Sequence, residues 1–170
     1  MTRCELPYEP KPQDFCVVVD PREQLPFDVS PMRSKRDTLS TGDYSVEYLE
    51  NSIALERKSL PDLVSCIAGE RERFERELMR LLAYPCRAVI VEAGWSDLQT
   101  GGWRSKVTSA SVIGSVLSWI GQGIPFIMAG NRAMAEEYCK RMLFIAARKR
   151  WRESRAFLIA AQENAERGET

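Results

Sequence analysis

The sequence predicts a single α/β domain, a mixed β-sheet flanked by helices, and three observations predict it. Its 170 residues fall in the range of roughly 100 to 200 that one domain usually occupies. A composition 44% hydrophobic and 28% charged supplies enough apolar material for one core and excludes disorder for the bulk of the chain. After a hairpin-like pattern at residues 44–58, short apolar runs alternate with helical periodicity to the end, the arrangement of a sheet covered by helices.

Taken in order, residues 1–13 are polar and proline-rich and are expected to form a flexible arm. Residues 15–19, FCVVV, read as a buried strand stopped by Asp20-Pro21. Residues 21–36 mix prolines with charges and read as a loop carrying the basic cluster Arg33, Lys35 and Arg36. Residues 44–49 and 52–58 alternate with period two around Glu50-Asn51, a hairpin signal. With those two as the turn, Tyr44 faces Arg57, Val46 faces Leu55 and Tyr48 faces Ile53 on one apolar side. Asp43, Glu56 and Lys58 then share the opposite side. Arg57, on the apolar side, is expected to make a structural ion pair.

Ser59-Leu60-Pro61-Asp62 reads as a helix start, with a hydroxyl cap, an early proline and an acid in the first turn. Gly69 ends or breaks that helix. Residues 70–82 place Phe74, Leu78, Leu81 and Leu82 on one helical face, and the Glu and Arg residues between them read as a solvated face. Residues 87–93 read as a central strand, 109–120 as a buried helix, 124–128 as a strand and 132–155 as a long final helix. The domain is therefore expected to span 14–155, with 156–170 as a tail.

Lys plus Arg and Asp plus Glu both number 24, so a polyanion must be held by a local patch rather than by a global field. Residues 132–155 are the most basic stretch, with eight Lys or Arg against three Glu. Five cysteines without a C-x-x-C pair, and no histidine, exclude a zinc site and a Cys–His dyad. Reduced thiols and the lack of an apolar leader suggest an intracellular setting. Residues 107–131 are uncharged, but their glycines, Pro125 and serines read as a buried helix, turn and strand, so no membrane partner is expected.

Asp43, twelve residues, then Glu56-Arg57-Lys58 has the form D-x12-E-x-K. Two carboxylates beside a lysine suit a hard divalent cation, Mg²⁺ or Mn²⁺, that assists phosphodiester hydrolysis. Asp20, closing the neighbouring strand, is a candidate third acid. The pattern alone is common, and a charged solvated hairpin face has the same letters.

Three blocks occur in order: V19-D20-P21-R22-E23, G42-D43-Y44, and E56-R57-K58-S59-L60-P61-D62-L63. Together they resemble the nuclease domain of the XPF/Hef family of structure-specific endonucleases, over roughly residues 14–152. The resemblance implies a restriction-endonuclease-like mixed β-sheet, metal and catalytic roles for Asp20, Asp43, Glu56 and Lys58, and supporting roles for Arg22, Glu23, Arg57 and Asp62. It implies cleavage of branched, flap or fork DNA in repair or recombination, and pairing with a second copy or a partner subunit. Physically, Arg22 either holds a phosphate or braces an acid, Asp62 suits a helix cap, and Glu92 either reaches the cleft or ends its strand in solvent. Many relatives add helix-hairpin-helix units or a helicase, for which these 170 residues have no room. DNA affinity is then expected from Arg33, Lys35 and Arg36, from Trp103, Arg104 and Lys106, or from residues 148–155. Trp103 either stacks on a base or packs on its own domain. In the last helix Met134, Tyr138, Met142 and Ile145 form an apolar stripe suited to core and to a dimer interface. A catalytically silent DNA-binding scaffold and a sequence-specific restriction-like nuclease are the competing readings.

Overall fold

The computed structural model describes residues 8–168. Six strands, β1 (Cys16–Val19), β2 (Arg33–Arg36), β3 (Tyr44–Val46), β4 (Ile53–Lys58), β5 (Cys86–Val91) and β6 (Phe126–Met128), form one sheet in the order β2-β1-β3-β4-β5-β6. Only β3 runs against its neighbours; the other pairings are parallel. Five strands therefore end at the same edge of the sheet, and the residues following β1, β4 and β5 meet there, together with the one preceding β3. That edge holds the motif blocks.

One face of the sheet is covered by α1 (Leu60–Gly69), α2 (Arg71–Leu81), α3 (Trp95–Thr100) and α4 (Ser109–Gly121). Ala54, Val89 and Val91 meet Leu63, Phe74, Leu78, Leu98, Val116 and Trp119 in that layer. The other face carries Tyr44, Val46, Ile53, Leu55, Ala88 and Ile90 against α5 (Arg132–Gly168) and the segment bearing Phe27, Val29 and Met32. β5 is buried on both sides from Ala88 to Val91, which is why that part of its sequence is a continuous apolar run.

Several expectations are corrected. The hairpin pairs Tyr44 with Leu55, two residues from the register anticipated. An even shift keeps the side chains within the two strands on their expected faces. The connection is longer because Leu49 N–H donates to the Val46 carbonyl and Ser52 N–H to that of Leu49, with Tyr48 at φ 67°. Tyr48 is consequently 89% exposed rather than part of the apolar face. Residues 33–36, expected as loop, are an edge strand whose polar side chains leave no hydrophobic period to read. The last helix runs to Gly168, through most of the expected tail. Of the expected flexible arm, residues 1–7 lie outside the described residues, while Glu9 is seated on α5 by Arg148 at 2.7 Å and by Arg152. Among the described residues the four cysteines are free thiols, and no described helix is long and apolar enough to cross a membrane.

Candidate active site

Asp43 owes its place to the glycine before it. Gly42 has φ 79°, and a Cβ there would lie 2.9 Å from the Leu55 carbonyl oxygen, so only glycine lets the chain enter β3 this close to β4. Asp43 then donates its N–H to Leu55 O at 2.8 Å and accepts the Asp20 N–H on its own carbonyl at 2.9 Å. Its side chain accepts the Arg57 N–H at 2.8 Å. One residue thus ties the end of β1 to the end of β4.

Along β4 the pleat sends Glu56 and Lys58 to the face of α2 and Arg57 to the opposite one. Asp43, Glu56 and Lys58 line a cavity of about 290 Å³ with Arg22, Ser40, Thr41, Gly42, and Arg73, Glu77 and Arg80 of α2. Lys58 Nζ lies 2.8 Å from Glu56 Oε1 and 4.9 Å from the centre of the Phe74 ring. Burial, reinforced by the Glu56 charge, pushes the Asp43 carboxyl up to about 8. Burial likewise raises Glu56. For Lys58 burial pulls the other way, but the Glu56 carboxylate outweighs it and the ammonium is held above its ordinary value. Two carboxylates that resist ionising side by side are relieved by a cation.

The donor set fits a divalent ion of the Mg²⁺ type, which takes one or two carboxylates and fills its remaining positions with water and phosphate oxygens. Asp43 and Glu56 are the residues that would hold it. Among the described residues no three Asp, Glu or Cys side chains converge as a closed cage. Asp20, expected as a third ligand, is instead fully committed. Its Oδ1 accepts Arg22 N at 2.8 Å and Nε at 2.7 Å, and its Oδ2 accepts Arg22 Nη2 at 3.0 Å and Leu39 N at 2.8 Å. It has no exposed surface, and the Arg22 hydrogen bonds hold its carboxyl down at about 2. Arg22 therefore braces an acid.

Glu23, Arg57 and Glu92 come together behind the site. Arg57 bonds Glu23 at 3.1 Å and Glu92 at 2.7 Å, Arg132 reaches Glu92 at 2.8 Å, and both arginines stack on Phe27. Asp62 sits in the first turn of α1, its N–H donating to the Ser59 hydroxyl at 3.2 Å, which makes it part of the cap. Of the anticipated DNA contacts, Lys35 is paired with Glu47 at 3.0 Å. Arg36 Nη1 donates to the Asp20 and Glu23 carbonyls at 3.0 and 2.6 Å, bracing the site from the edge strand. Trp103 is partly buried against the core and donates to Val107 O at 2.7 Å, which fits the packing alternative of its two readings. Arg33, Arg104 and Lys106 are exposed and contribute nothing to the cavity. Arg73, Glu77 and Arg80 are cavity residues that the solvated-face reading of α2 passed over. Their i, i+4, i+7 spacing was the available signal.

The ERCC4 domain family model matches residues 19–142, well over half of the chain. The chain belongs to the ERCC4 domain family. XPF from Aeropyrum pernix is similar at a TM-score of 0.61 and 19% identity, covering 86% of this chain and 73% of that one. The Aeropyrum pernix XPF in complex with DNA is similar at a TM-score of 0.59 and 19% identity, covering 79% and 66%. No curated protein matches the chain. This ERCC4 domain thus has the XPF-type nuclease fold, a six-stranded mixed sheet with flanking helices.

Proposed function

We propose that this ERCC4 domain is a divalent-metal-dependent DNA endonuclease that hydrolyses phosphodiester bonds in branched, flap or fork DNA. The observation that carries the reading is the paired Asp43 and Glu56 carboxylates, with the Lys58 ammonium, in one cavity at the sheet edge. The DNA in the Aeropyrum pernix complex supports nucleic acid as the substrate class.

When bound, Mg²⁺ or Mn²⁺ supplies positive charge at the scissile phosphate and acidity to a water molecule. Asp43 and Glu56 would hold it, and without it the buried pair retains a proton near neutral pH, because Asp43 is pushed up to about 8. Lys58 Nζ stays protonated beside Glu56 and is placed to stabilise the charge that grows on the phosphoryl oxygens. Asp20, locked by Arg22, Leu39 N–H and the Asp43 carbonyl, positions the strand end rather than the reaction. Intact Asp43, Glu56 and Lys58 favour an active enzyme over a silent scaffold.

Assembly as a homodimer, or with a partner subunit, is part of the proposal. Met134 and Ile145 of α5 remain 37% and 64% exposed, and Phe157 further along is 72% exposed, apolar surface of the kind subunit contacts cover.

The test is to incubate the chain with end-labelled single-stranded, duplex, flap, fork and four-way DNA, with Mg²⁺, Mn²⁺ or a chelator. Metal-dependent cleavage of a branched form in preference to duplex is expected. DNA binding without cleavage in either metal would overturn the catalytic reading. Light scattering at micromolar concentration is expected to give twice the chain mass, and a monomer that cuts undiminished on dilution would remove the dimer.

A further inference from the structure

We propose that α2 is the wall that grips the DNA strand, with Arg80 a standing phosphate contact and Arg73 a second contact that Glu70 and Glu77 hold until a phosphate takes it. The proposal rests on DNA being the substrate, as argued above, but not on the hydrolysis itself.

Consider the cations that line the cavity: Arg22, Lys58, Arg73 and Arg80. Arg22 is spent on Asp20 and the Leu39 carbonyl, and Lys58, paired with Glu56, is reserved for the reacting phosphate. A strand entering a cavity that already holds Asp43, Glu56 and Glu77 meets net negative charge unless the two α2 arginines receive it. Arg80 pairs with no carboxylate among the described residues. Arg73 is parked: Nε meets Glu70 Oε2 at 2.8 Å, Nη2 meets the same oxygen, and Nη1 meets Glu77 Oε1 at 2.8 Å. Its side chain is still 53% exposed. Ion pairs within one helix at a part-exposed arginine are weak, whereas a guanidinium binds a phosphate through two parallel charge-assisted bonds, so exchange of Glu70 and Glu77 for phosphate is favourable.

The placement of the stripe is also fixed. Phe74, fully buried, seats α2 beneath the Lys58 ammonium. Arg73, Glu77 and Arg80 follow at i, i+4 and i+7 on the cavity side, so the two arginines stand about 10.5 Å apart along the helix axis and address two different phosphates. Glu77 lines the same cavity as Asp43 and Glu56. Arg73, released from it, faces that cavity too.

The decisive measurement is the salt dependence of DNA binding in chelator, where no cleavage occurs, with flap DNA as the probe and thermal unfolding as the folding control. Arg80→Ala and Arg73→Ala are each expected to weaken binding roughly tenfold and to lower the slope of log K against log salt by about 0.9. Arg80→Lys restores the slope. Glu77→Gln is expected to do the opposite and tighten binding about threefold, because it leaves Arg73 held by Glu70 alone and removes a negative charge from the cavity. Both alanine slopes equal to wild type, or weaker binding by Glu77→Gln with an unchanged unfolding temperature, would overturn the clamp. If Arg73→Ala unfolds, Arg73→Gln is measured by the same two criteria. A wild-type chain that binds but never cuts, with these slopes altered, removes the hydrolysis and leaves the clamp. One that cuts with slopes unaltered removes the clamp alone. A wild type that does not bind DNA removes both.

Discussion

At the end of β4, Glu56 and Lys58 face one way and Arg57 the other, and the two sides are built on opposite electrostatic terms. Behind the sheet, Glu23 and Glu92 are matched by Arg57 and Arg132 over the Phe27 ring, a buried network with its charges balanced. In front, Glu56 is paired with Lys58, Asp43 with no cation among the described residues, and both are held away from their ordinary ionisation by burial. Three consecutive residues therefore serve both purposes. The period-two pleat lets the middle one rigidify the strand while its neighbours are kept electrostatically unsatisfied, ready for a cation.

Breaking the front side has the largest expected effect, and it falls on activity. Asp43→Asn or Glu56→Gln is expected to lower cleavage by roughly a thousandfold or more, since either removes a cation ligand from the reacting phosphate. Circular dichroism and DNA binding should be retained in both.

Breaking the back side falls on stability. Arg57→Ala leaves Glu23 and Glu92 without their shared partner, and loss of one member of a buried network costs about 3–5 kcal/mol. Urea denaturation measures it; a loss below about 1 kcal/mol would show that the two sides do not differ as described.

The pH dependence sharpens the contrast. Asp43 is raised from 3.8 to about 8, so the folded state binds its proton more tightly than the unfolded one. The metal-free chain should lose stability as pH rises between those values. Asp20 runs the other way. Lowered from 3.8 to about 2 by Arg22, it contributes stability above pH 4 that is lost as pH falls toward 2. Unfolding temperatures from pH 3 to 9 should show the neutral-side decline, and Asp43→Asn or added Mg²⁺ should flatten it.

The smallest effect lies beyond both sides, at the cap of α1. Ser59→Ala removes the acceptor of the Asp62 N–H and should cost about 1 kcal/mol with cleavage unchanged once the protein is folded. A large loss of cleavage would mean that this cap belongs to the site.

Most of the architecture was legible because it is written in periodicity. The apolar runs at β1 and β5, the cap at Ser59 and the face assignments around Glu56 followed from side-chain spacing, which is insensitive to an even shift of register. What escaped was set by contacts that spacing does not encode. β2 has no buried side chain, α3 is a six-residue helix, and the hairpin's length follows from a left-handed Tyr48. Asp20 illustrates the limit within the site. Its position was readable, but its engagement depends on Leu39, nineteen residues away, and on the torsions of Arg22. The α2 arginines were misread because a charged helical stripe looks the same whether it meets water or a cleft.

The exposed loop between β3 and β4 also divides the chemistry. Everything before Tyr48 carries Asp20 and Asp43; everything after it carries Glu56, Lys58 and α2. A chain cut at this loop would yield two fragments, each with one of the paired carboxylates and neither able to hold the cation alone. Since β3 pairs with both β1 and β4, fusing such halves to two interacting proteins should make nuclease activity conditional on their meeting, a complementation switch located at Tyr48.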